Sequence, residues 1–539
     1  MSPGWRAWLA DPLVPIALLL LPVVFVLAPL PVDETRYLAV AWEMRQSGEF
    51  LVPHLNGALY SQKPPLLFWL INAGWLLTGV EGWTGRLLAL GYSLASLWLV
   101  RRIVLRLGES EAAACAAVWV MAGIAWFAVF ATAIMFDVLL ATCVLVALLG
   151  VLDLAEGRSG RGILVTGLGI GIGVLAKGPV VVLDIAFAGL TAPWWSDAVR
   201  RRPGRYFAGL GAAVLLGAAI GLAWALPAAL RGGDAYAHAI FFKQTLGRVS
   251  ESFAHRRPWW WYALILPPLL LPWPLVLRGR IAGLRAALAR PAVRLGLLWT
   301  VPTVVAFSFV SGKQGHYLLP VLPGIAIALG VAIARGHLRI RVGLLAVAVV
   351  AAGLLFALLP WLAPSRAHLV WLGSVWPLWG ILAVVLGGAL WWARSRLEQP
   401  MTPAVVMLGL VLLLKLAIVQ GTGSHYDPRA IASQIRAIQD SGRPLMHIGW
   451  HHGVYGFAGR LAAPVPFVLQ ADQLRAWAAA HPDGLVVGLE QRFRVGAPPV
   501  YRIPFRGGHA AIWNASDVAA GGIVPDDDGG EVALPDDED

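Results

Sequence analysis

Long apolar stretches separated by short polar segments are the feature that most constrains how this chain folds. A helix that crosses a bilayer needs about 20 consecutive apolar residues, and about thirteen stretches of this sequence meet that need. The predicted spans are residues 12–30, 84–105, 110–131, 137–154, 161–176, 178–195, 206–230, 259–277, 294–311, 317–334, 341–361, 369–393 and 402–420. Only 13% of the residues are charged, against roughly 25% in soluble proteins. The sequence therefore predicts an all-α polytopic membrane protein.

Arginine clusters between the apolar stretches predict the orientation of the chain. Cytoplasmic segments of membrane proteins carry an excess of Lys and Arg. If Pro64–Gly79 lies along the outer membrane surface instead of crossing it, every arginine cluster falls on the same, cytoplasmic face. The clusters are residues 101–106, 158–161, 200–205, 278–294, 335–341 and 394–396. We therefore expect the N-terminus inside and the C-terminus outside. The net charge of +12 follows from these clusters and does not indicate nucleic-acid binding.

Three regions differ in composition. Residues 1–420 form the predicted transmembrane domain, with a long outer loop at 32–83. Apolar density falls after Gln420, and residues 421–524 predict a small soluble α/β domain on the outer face. Its predicted elements are helices at 430–438 and 470–480 and strands at 444–449, 466–469 and 484–489. Residues 525–539 form an acidic tail that we expect to be disordered.

The polar residues that suit chemistry gather on the predicted outer face. The chain has only five lysines, and Lys63, Lys177 and Lys313 all fall at or near that face. Asp33 and Asp137 begin helices at the same side of the membrane. An ionised Asp near hydrocarbon costs about 2.5–3.5 kcal/mol on insertion scales, so it usually has a partner or a function. Carboxylates beside a membrane, with cations nearby, suit a lipid-borne anionic substrate.

Each of these positions also has a purely structural interpretation. Asp33 and Asp137 are favourable residues at a helix N-terminus. Lys177 precedes Gly-Pro, which marks a turn, and its side chain could extend to the membrane surface. The glycines around Lys313 are consistent with a plain loop. The residues alone leave these alternatives open.

The first outer loop resembles a known family. Residues 33–65 read D-E-T-R-Y-L-A-V-A-W-E-M-R-Q-S-G-E-F-L-V-P-H-L-N-G-x-x-Y-x-x-K-P-P, which is similar to the first periplasmic loop of the ArnT-type lipid A aminoarabinose transferases. These enzymes belong with the protein O-mannosyltransferase-like enzymes that use polyprenyl-phosphate sugars. Later pieces follow in the family's order: Asp137, K-G-P, H-R-R-P-W-W-W-Y and G-K-x-x-x-Y-L-L-P. The resemblance covers most of residues 10–420 and weakens beyond them.

The resemblance implies the GT-C type glycosyltransferase fold, about thirteen transmembrane helices, and an inverting transfer at the periplasmic face of a bacterial inner membrane. The implied catalytic acids are Asp33, Asp137 and Glu34. The implied ligands of the donor phosphate are Lys63, Arg256, Lys313, Tyr317 and Lys177. The residues implied to line the substrate are Arg36, Tyr37, Tyr60 and His255. Ser61-Gln62 depart from the family, because the aminoarabinose transferases often have an acidic residue before the lysine.

The implied partners are a polyprenyl-phosphate sugar donor, with aminoarabinose, a uronic acid or a hexose as the sugar, and an envelope acceptor. The acceptor is lipid A, another glycolipid or, as in the protein O-mannosyltransferases, a protein. If it is a hydroxyl, Asp33 can act as a base; if it is a phosphate, Asp33 orients groups or binds an amino sugar. No cofactor or metal-ligating set is indicated, although a divalent metal stays open. Other function classes are a lipid-linked sugar flippase, which we would expect to show charges at the bilayer midplane, and a non-catalytic assembly protein.

Overall fold

The computed structural model describes residues 11–242, 256–362, 372–423, 425–490, 493–506, 508–521 and 523–525. Within these ranges the chain is mostly helical, and a small sheet domain follows the last long apolar helix. Of the predicted site residues, His255 lies outside the described residues, as does the predicted acidic tail beyond Pro525, which itself ends a short strand.

Long apolar helices form the bulk of the molecule. The helices up to residue 309 are α1 Leu13–Val26, α2 Asp33–Ser47, α3 Leu66–Thr78, α4 Gly82–Arg106, α5 Glu111–Gly123, α6 Ala125–Phe130, α7 Phe136–Ala155, α8 Ser159–Lys177, α9 Val180–Leu190, α10 Ala192–Trp195, α11 Asp197–Arg201, α12 Pro203–His238, α13 Trp261–Leu269, α14 Trp273–Val276, α15 Ile281–Leu288 and α16 Pro291–Phe309. A 3₁₀ turn, Gly315–Val321, leads into the next group. That group is α17 Leu322–Ala334, α18 Gly343–Leu362, α19 Pro377–Trp392 and α20 Met401–Thr422.

Eight helices among the described residues are long and apolar enough to cross a membrane. They begin at Gly82, Phe136, Ser159, Pro203, Pro291, Gly315, Gly343 and Met401, and each coincides with a predicted span. The other five predicted spans contain the shorter apolar helices α1, α5, α9, α13 and α19. Every predicted span therefore contains a helix, although 259–277 holds two short ones, α13 and α14, and ends at the start of a strand. The total of thirteen crossings stays a prediction. The helix α3, predicted to lie on the membrane surface, is too short to be counted among the eight.

The predicted arginine clusters meet buried acids at one end of the helix bundle. The Glu109 carboxylate has no exposed surface and binds both Arg290 (2.8 Å) and Arg335 (2.7 Å). Asp153, at the end of α7, binds Arg106 at 2.9 Å. Asp137 begins the same helix of 20 residues, which is about 30 Å long at 1.5 Å per residue. The arginines thus lie one helix length from the predicted site.

The C-terminal region folds as a three-layer α/β domain. Its helices are α21 Arg429–Asp440, α22 Val454–Gly459, α23 Ala471–Ala480 and α24 Ala515–Gly521. Two short pairs precede it in the chain, β1 His54–Leu55 with β2 Ala58–Leu59 and β3 Leu277–Gly279 with β4 Leu338–Ile340. The domain adds β5 Leu445–Ile448, β6 Phe467–Val468, β7 Leu485–Leu489, β8 Phe493–Val495, β9 Tyr501–Phe505, β10 Gly508–Asn514 and β11 Ile523–Pro525.

Successive side chains of the central strands point to opposite faces of the sheet, and each face packs against different helices. The sheet order is β6-β5-β7-β10-β9, with β5 parallel to both neighbours and β10 antiparallel to β7 and β9. Val487 packs with Ile435 of α21 on one face, while Val486 packs with Leu474 of α23 on the other. This is the period of two that a strand requires. The predicted helices and first three strands of this domain are present; the strands after residue 492 were not predicted.

The outer loop and the C-terminal domain pack against each other. Asn56 and Gly57 form the tight turn between β1 and β2, both with positive φ, as Asn-Gly hairpin turns require. The Asn56 side chain donates to the Val465 carbonyl and accepts from the Val465 amide, each at 2.8 Å. Trp42 of α2 donates to the Leu461 carbonyl at 3.0 Å. The C-terminal domain therefore contacts both α2, which begins at Asp33, and the loop that follows it.

Candidate active site

Asp33 stands at the open start of α2. Its carboxylate accepts from Arg36 at 3.0 Å and from the Tyr37 hydroxyl at 3.4 Å, and its side chain is 46% exposed. Arg36 and Tyr37 follow one helical turn later, so they lie on the same face as Asp33. Gln62, just before Lys63, accepts from Arg36 at 3.2 Å. Asp33 thus keeps a defined orientation while one side stays accessible.

Glu34 occupies a different environment from that of Asp33. Its side chain is only 7% exposed and forms an ion pair with the buried Arg86 of α4. It also accepts backbone N–H groups from Leu30 (2.7 Å) and Ile134 (2.9 Å). Because both carboxylate oxygens are used in this way, Glu34 joins three segments of the fold. Its predicted catalytic role stays a prediction.

Asp137 and Lys177 form a second charged pair. Asp137 begins α7, Lys177 ends α8, and their side chains meet at 2.5 Å with 2% and 11% exposure. The Lys177 ammonium also lies over the ring of Tyr317, 4.5 Å from its centroid. The Gly-Pro after Lys177 ends one helix and starts the next, as the turn interpretation predicted. The lysine is nevertheless held in the site by the acid and the aromatic ring.

His316 lies near the charged residues of the candidate site. Four charged side chains act electrostatically on it, namely Asp33, Lys63, Asp137 and Lys177. Its ring packs edge-on against Tyr317, with centroids 4.8 Å apart. Residues distant in sequence, from the first outer loop and from the ends of α7 and α8, therefore act on a single imidazole.

His316 was not among the predicted site residues. The segment 311–317 was selected for Lys313 and Tyr317, and the histidine between them had no partner visible in the sequence. Arg86 was also missed, although a signal for it existed. It is an arginine near the outer end of a predicted span, which goes against the usual distribution of positive charge and indicates a buried partner.

Lys313 and Arg256 lie beside this cluster in the chain. The Lys313 ammonium donates to the backbone carbonyls of Arg257 (2.9 Å) and Val310 (2.5 Å), and the residue is 3% exposed. Burial lowers the pKa of its ammonium. Arg256 pairs through its backbone with Gly312 and is exposed. The structure thus gives Lys313 a role in joining two loops, and its predicted contact with a phosphate stays a prediction.

A cluster of packed aromatic rings lies next to the candidate site. Tyr37 packs edge-on against Phe136, the residue before Asp137, with ring centroids 4.8 Å apart. Tyr60, 4% exposed, packs against Phe68 of α3, which in turn contacts Phe136. Tyr60 therefore lies in the aromatic cluster beneath Asp33 and Asp137. Among the described residues no group of three His, Cys, Asp or Glu side chains could hold a metal ion.

Comparisons with known proteins agree with this architecture. A family model described as dolichyl-phosphate-mannose-protein mannosyltransferase matches residues 62–224. The chain is 28% identical over 519 residues to an undecaprenyl phosphate-alpha-4-amino-4-deoxy-L-arabinose arabinosyl transferase of Edwardsiella ictaluri, covering 85% of this chain and 90% of the relative. A protein of the same name from Pseudomonas aeruginosa strain LESB58 is 31% identical over 325 residues, covering 58% and 56% of the two chains.

Solved structures show the same fold. The crystal structure of ArnT from Cupriavidus metallidurans bound to undecaprenyl phosphate matches with a TM-score of 0.73 and 18% identity, covering 95% of this chain and 98% of that one. Its apo form matches with a TM-score of 0.74, at 18% identity and 96% and 99% coverage. The predicted fold class, a polytopic helical bundle with a small C-terminal α/β domain, is confirmed.

Proposed function

We propose, from the premise that this chain is an ArnT-like membrane glycosyltransferase with the GT-C fold, that it transfers a sugar from a polyprenyl-phosphate donor to a glycolipid of the lipid A type. The observation that carries the proposal is the buried Asp137–Lys177 pair, which acts electrostatically on His316 together with Asp33 and Lys63. The names of the relatives and of the structural neighbour support an undecaprenyl-phosphate donor.

The reaction exchanges one bond at the anomeric carbon for another. The bond between that carbon and the phosphate oxygen breaks, and its electron pair leaves with the polyprenyl phosphate. An acceptor oxygen forms the new bond from the opposite face, so the configuration inverts. Negative charge grows on the leaving phosphate, and fixed cations that stabilise it are expected to contribute most to the rate. Lys63 and Lys177 supply that charge in this proposal.

In this proposal Asp33 interacts with the acceptor or with the transferred sugar. It is the more exposed of the two acids in the cluster, and Arg36 and Tyr37 hold its orientation. With a hydroxyl acceptor, Asp33 takes the proton as the new bond forms. With a phosphate acceptor, which is already ionised at neutral pH, Asp33 orients the sugar or binds its amino group. Asp137 is almost fully buried against Lys177 and positions that lysine.

The proposal places the site on the periplasmic face of the bacterial inner membrane. The acids and lysines lie at one end of the bundle, and the arginine clusters lie one helix length away. The excess of arginine marks the cytoplasmic side. The C-terminal domain packs on α2 and therefore shares the periplasmic side with the site.

The test is transfer by the purified full chain in detergent. The assay supplies undecaprenyl phosphate aminoarabinose and lipid A, and mass spectrometry detects the product. Asp33→Asn is expected to lower the rate at least about 100-fold, the scale of a lost acid–base or orienting group. The matched control is Asp197→Asn, because Asp197 also pairs with an arginine three residues on, Arg200, at 3.3 Å. Near-normal transfer by the Asp33 variant would overturn the assignment.

A protein acceptor is the second candidate, favoured by the family model that matches residues 62–224. The same assay distinguishes the two when a mixture of envelope proteins replaces lipid A. Sugar appearing on protein, with none on lipid A, would assign the chain to protein glycosylation.

A further inference from the structure

A cavity of about 280 Å³ lies at the arginine-rich end of the molecule, far from the active site. Its charged lining comes from separate parts of the chain: Arg278 in β3, Arg341 after β4, and Arg394 with Glu398 after α19. Three arginines against one glutamate leave the cavity positively charged. Its volume is near the lower end of the range for small-ligand pockets.

Local contacts hold the arginines around this space. The backbone of Arg341 donates to the Val276 carbonyl at 2.8 Å, and its guanidinium binds Glu398 at 2.7 Å. The Arg278 guanidinium donates to the Leu277 carbonyl at 2.8 Å. The bonds to Glu398 and to the Leu277 carbonyl each occupy one nitrogen of a guanidinium that carries five N–H donors. The remaining donors are enough to bind an anion.

The third arginine is held by an aromatic residue. The Arg394 guanidinium lies 4.3 Å from the centroid of the Trp391 ring and donates to the Trp391 carbonyl at 2.8 Å. The cavity wall also contains Gly343 and Leu344, the first residues of α18. The first amide groups of a helix have no partner within the helix and favour negative charge. The cavity therefore combines arginine with a helix start.

Exposed apolar side chains continue from the cavity along the two adjoining helices. Leu344 and Val347 of α18 are 48% and 51% exposed, and Trp391 and Trp392 of α19 are 46% and 82% exposed. These helices pack side by side and are apolar along their length. An occupant with a charged head and apolar chains would contact both surfaces, whereas a free anion would use only the cavity.

We propose that this cavity binds the phosphate headgroup of an anionic membrane phospholipid, with the acyl chains lying along α18 and α19. Arginine suits phosphate because its planar group can make two parallel hydrogen bonds. Basic pockets between helices on the cytoplasmic side are known to take such headgroups. The site is separate from the donor site, since it lies at the other end of the bundle and uses none of the same residues.

The experiment is native mass spectrometry of the purified full chain in detergent, titrated with phosphatidylglycerol and, separately, with phosphatidylcholine of the same chain length. We expect phosphatidylglycerol to bind at least tenfold more tightly. The triple variant R278Q/R341Q/R394Q should reduce it to the phosphatidylcholine level. A control triple, R201Q/R202Q/R285Q, removes the same charge from exposed arginines outside the cavity and should bind as the unaltered protein does.

Two further measurements complete the experiment. One tests whether weaker binding by the triple variant reflects lost charge or misfolding, and the other tests whether the ligand is a lipid or free phosphate. Glu398→Gln removes the one acid in the cavity and releases Arg341, so it should tighten phosphatidylglycerol binding about threefold or more. Inorganic phosphate should displace the lipid only at concentrations far above those of phosphatidylglycerol. Equal lipid binding by the cavity and control triples, or weaker binding by Glu398→Gln, would overturn the proposal. So would inorganic phosphate binding as tightly as the lipid.

Discussion

Asp33 and Glu34 are neighbours in the sequence, yet they have opposite environments. Asp33 is 46% exposed and Glu34 is 7% exposed. Successive residues of a helix point about 100° apart, so the first turn of α2 directs one carboxylate to the open site and the other into the protein. Of the two neighbouring carboxylates, Asp33 therefore stays accessible, whereas Glu34 holds a buried ion pair.

Glu34→Gln is expected to destabilise the protein without abolishing the chemistry. The change leaves the buried Arg86 guanidinium without its counter-charge, which typically costs about 3–5 kcal/mol. Thermal unfolding in detergent should show a clear fall in melting temperature, while transfer per folded molecule stays within a few-fold. Glu111→Gln is the control, since Glu111 pairs with Arg101 at 3.1 Å but is 62% exposed and should cost less than about 1 kcal/mol. A stable but inactive Glu34 variant would restore the catalytic role.

Lys63→Ala is expected to impair use of the donor more than use of the acceptor. A charge-assisted hydrogen bond to phosphate is worth about 1.5–3 kcal/mol, which corresponds to a roughly 10- to 100-fold rise in the apparent KM for the polyprenyl-phosphate sugar. The measurement is the transfer rate against donor concentration and then against acceptor concentration. Lys63→Arg should recover part of the loss. A rise confined to the acceptor KM would contradict the assignment.

At the residue scale, the sequence indicates contacts between residues that are close along the chain. Arg36 and Tyr37 contact Asp33 because they follow it by one turn. The partner of Glu34 is 52 residues away, and the pairing of Lys177 with Asp137 crosses 40 residues. No local pattern encodes such contacts. They depend on which helices become neighbours.

At the scale of elements, α2 connects the active site to the C-terminal domain. Its first residue is Asp33, and its later residue Trp42 donates to that domain. Gly453, before α22, lies so close to the outer loop that a Cβ there would come within 2.3 Å of Leu55 and 3.5 Å of Ala39 of α2. Glycine allows this close approach. The domain therefore helps fix where Asp33 stands.

The C-terminal domain is expected to lose stability in acid through His451. Burial lowers the pKa of this histidine to about 4 from 6.5. Because the folded state holds it neutral, the stability it contributes is present above about pH 6.5 and is lost as the pH falls toward 4. The full effect is about 3 kcal/mol.

Hydrogen exchange of peptides from residues 445–468 of the full chain, followed from pH 7 to pH 4, checks this expectation. Intrinsic exchange rates at each pH are subtracted. Protection should fall with pH in the unaltered protein and should depend much less on pH in His451→Gln. An equal pH dependence in the variant would show that another group is responsible.

The elements themselves were largely predictable, whereas the end of the C-terminal domain was not. Each stretch identified by its apolar length contains a helix, although residues 259–277 hold two short ones, and alternation identified β5, β6 and β7. The strands β9 and β10 were missed because residues 496–508 contain glycine, proline and arginine without a clear period. The strand β10 pairs with both β7 and β9, so tertiary pairing outweighs the weak local pattern.

At the scale of the whole molecule, charge is divided between two ends. Acids and lysines act on His316 at one end, while arginine clusters bind buried acids such as Glu109 and Asp153 at the other. The sequence predicts the same division, because its few lysines fall near the outer face and its arginines cluster between the spans on the other side. Which end faces the periplasm stays a prediction.

The most direct measurement of the central claim is mass spectrometry of envelope lipids and glycoproteins from cells with the chain, without it, and with its Asp33→Asn variant. We expect lipid A to gain the mass of one sugar, aminoarabinose if the donor is that of the named relatives, only with the unaltered chain. We expect no change in the glycoproteins. An identical lipid A spectrum in all three strains, or a lipid change that the Asp33→Asn variant also produces, would contradict this claim.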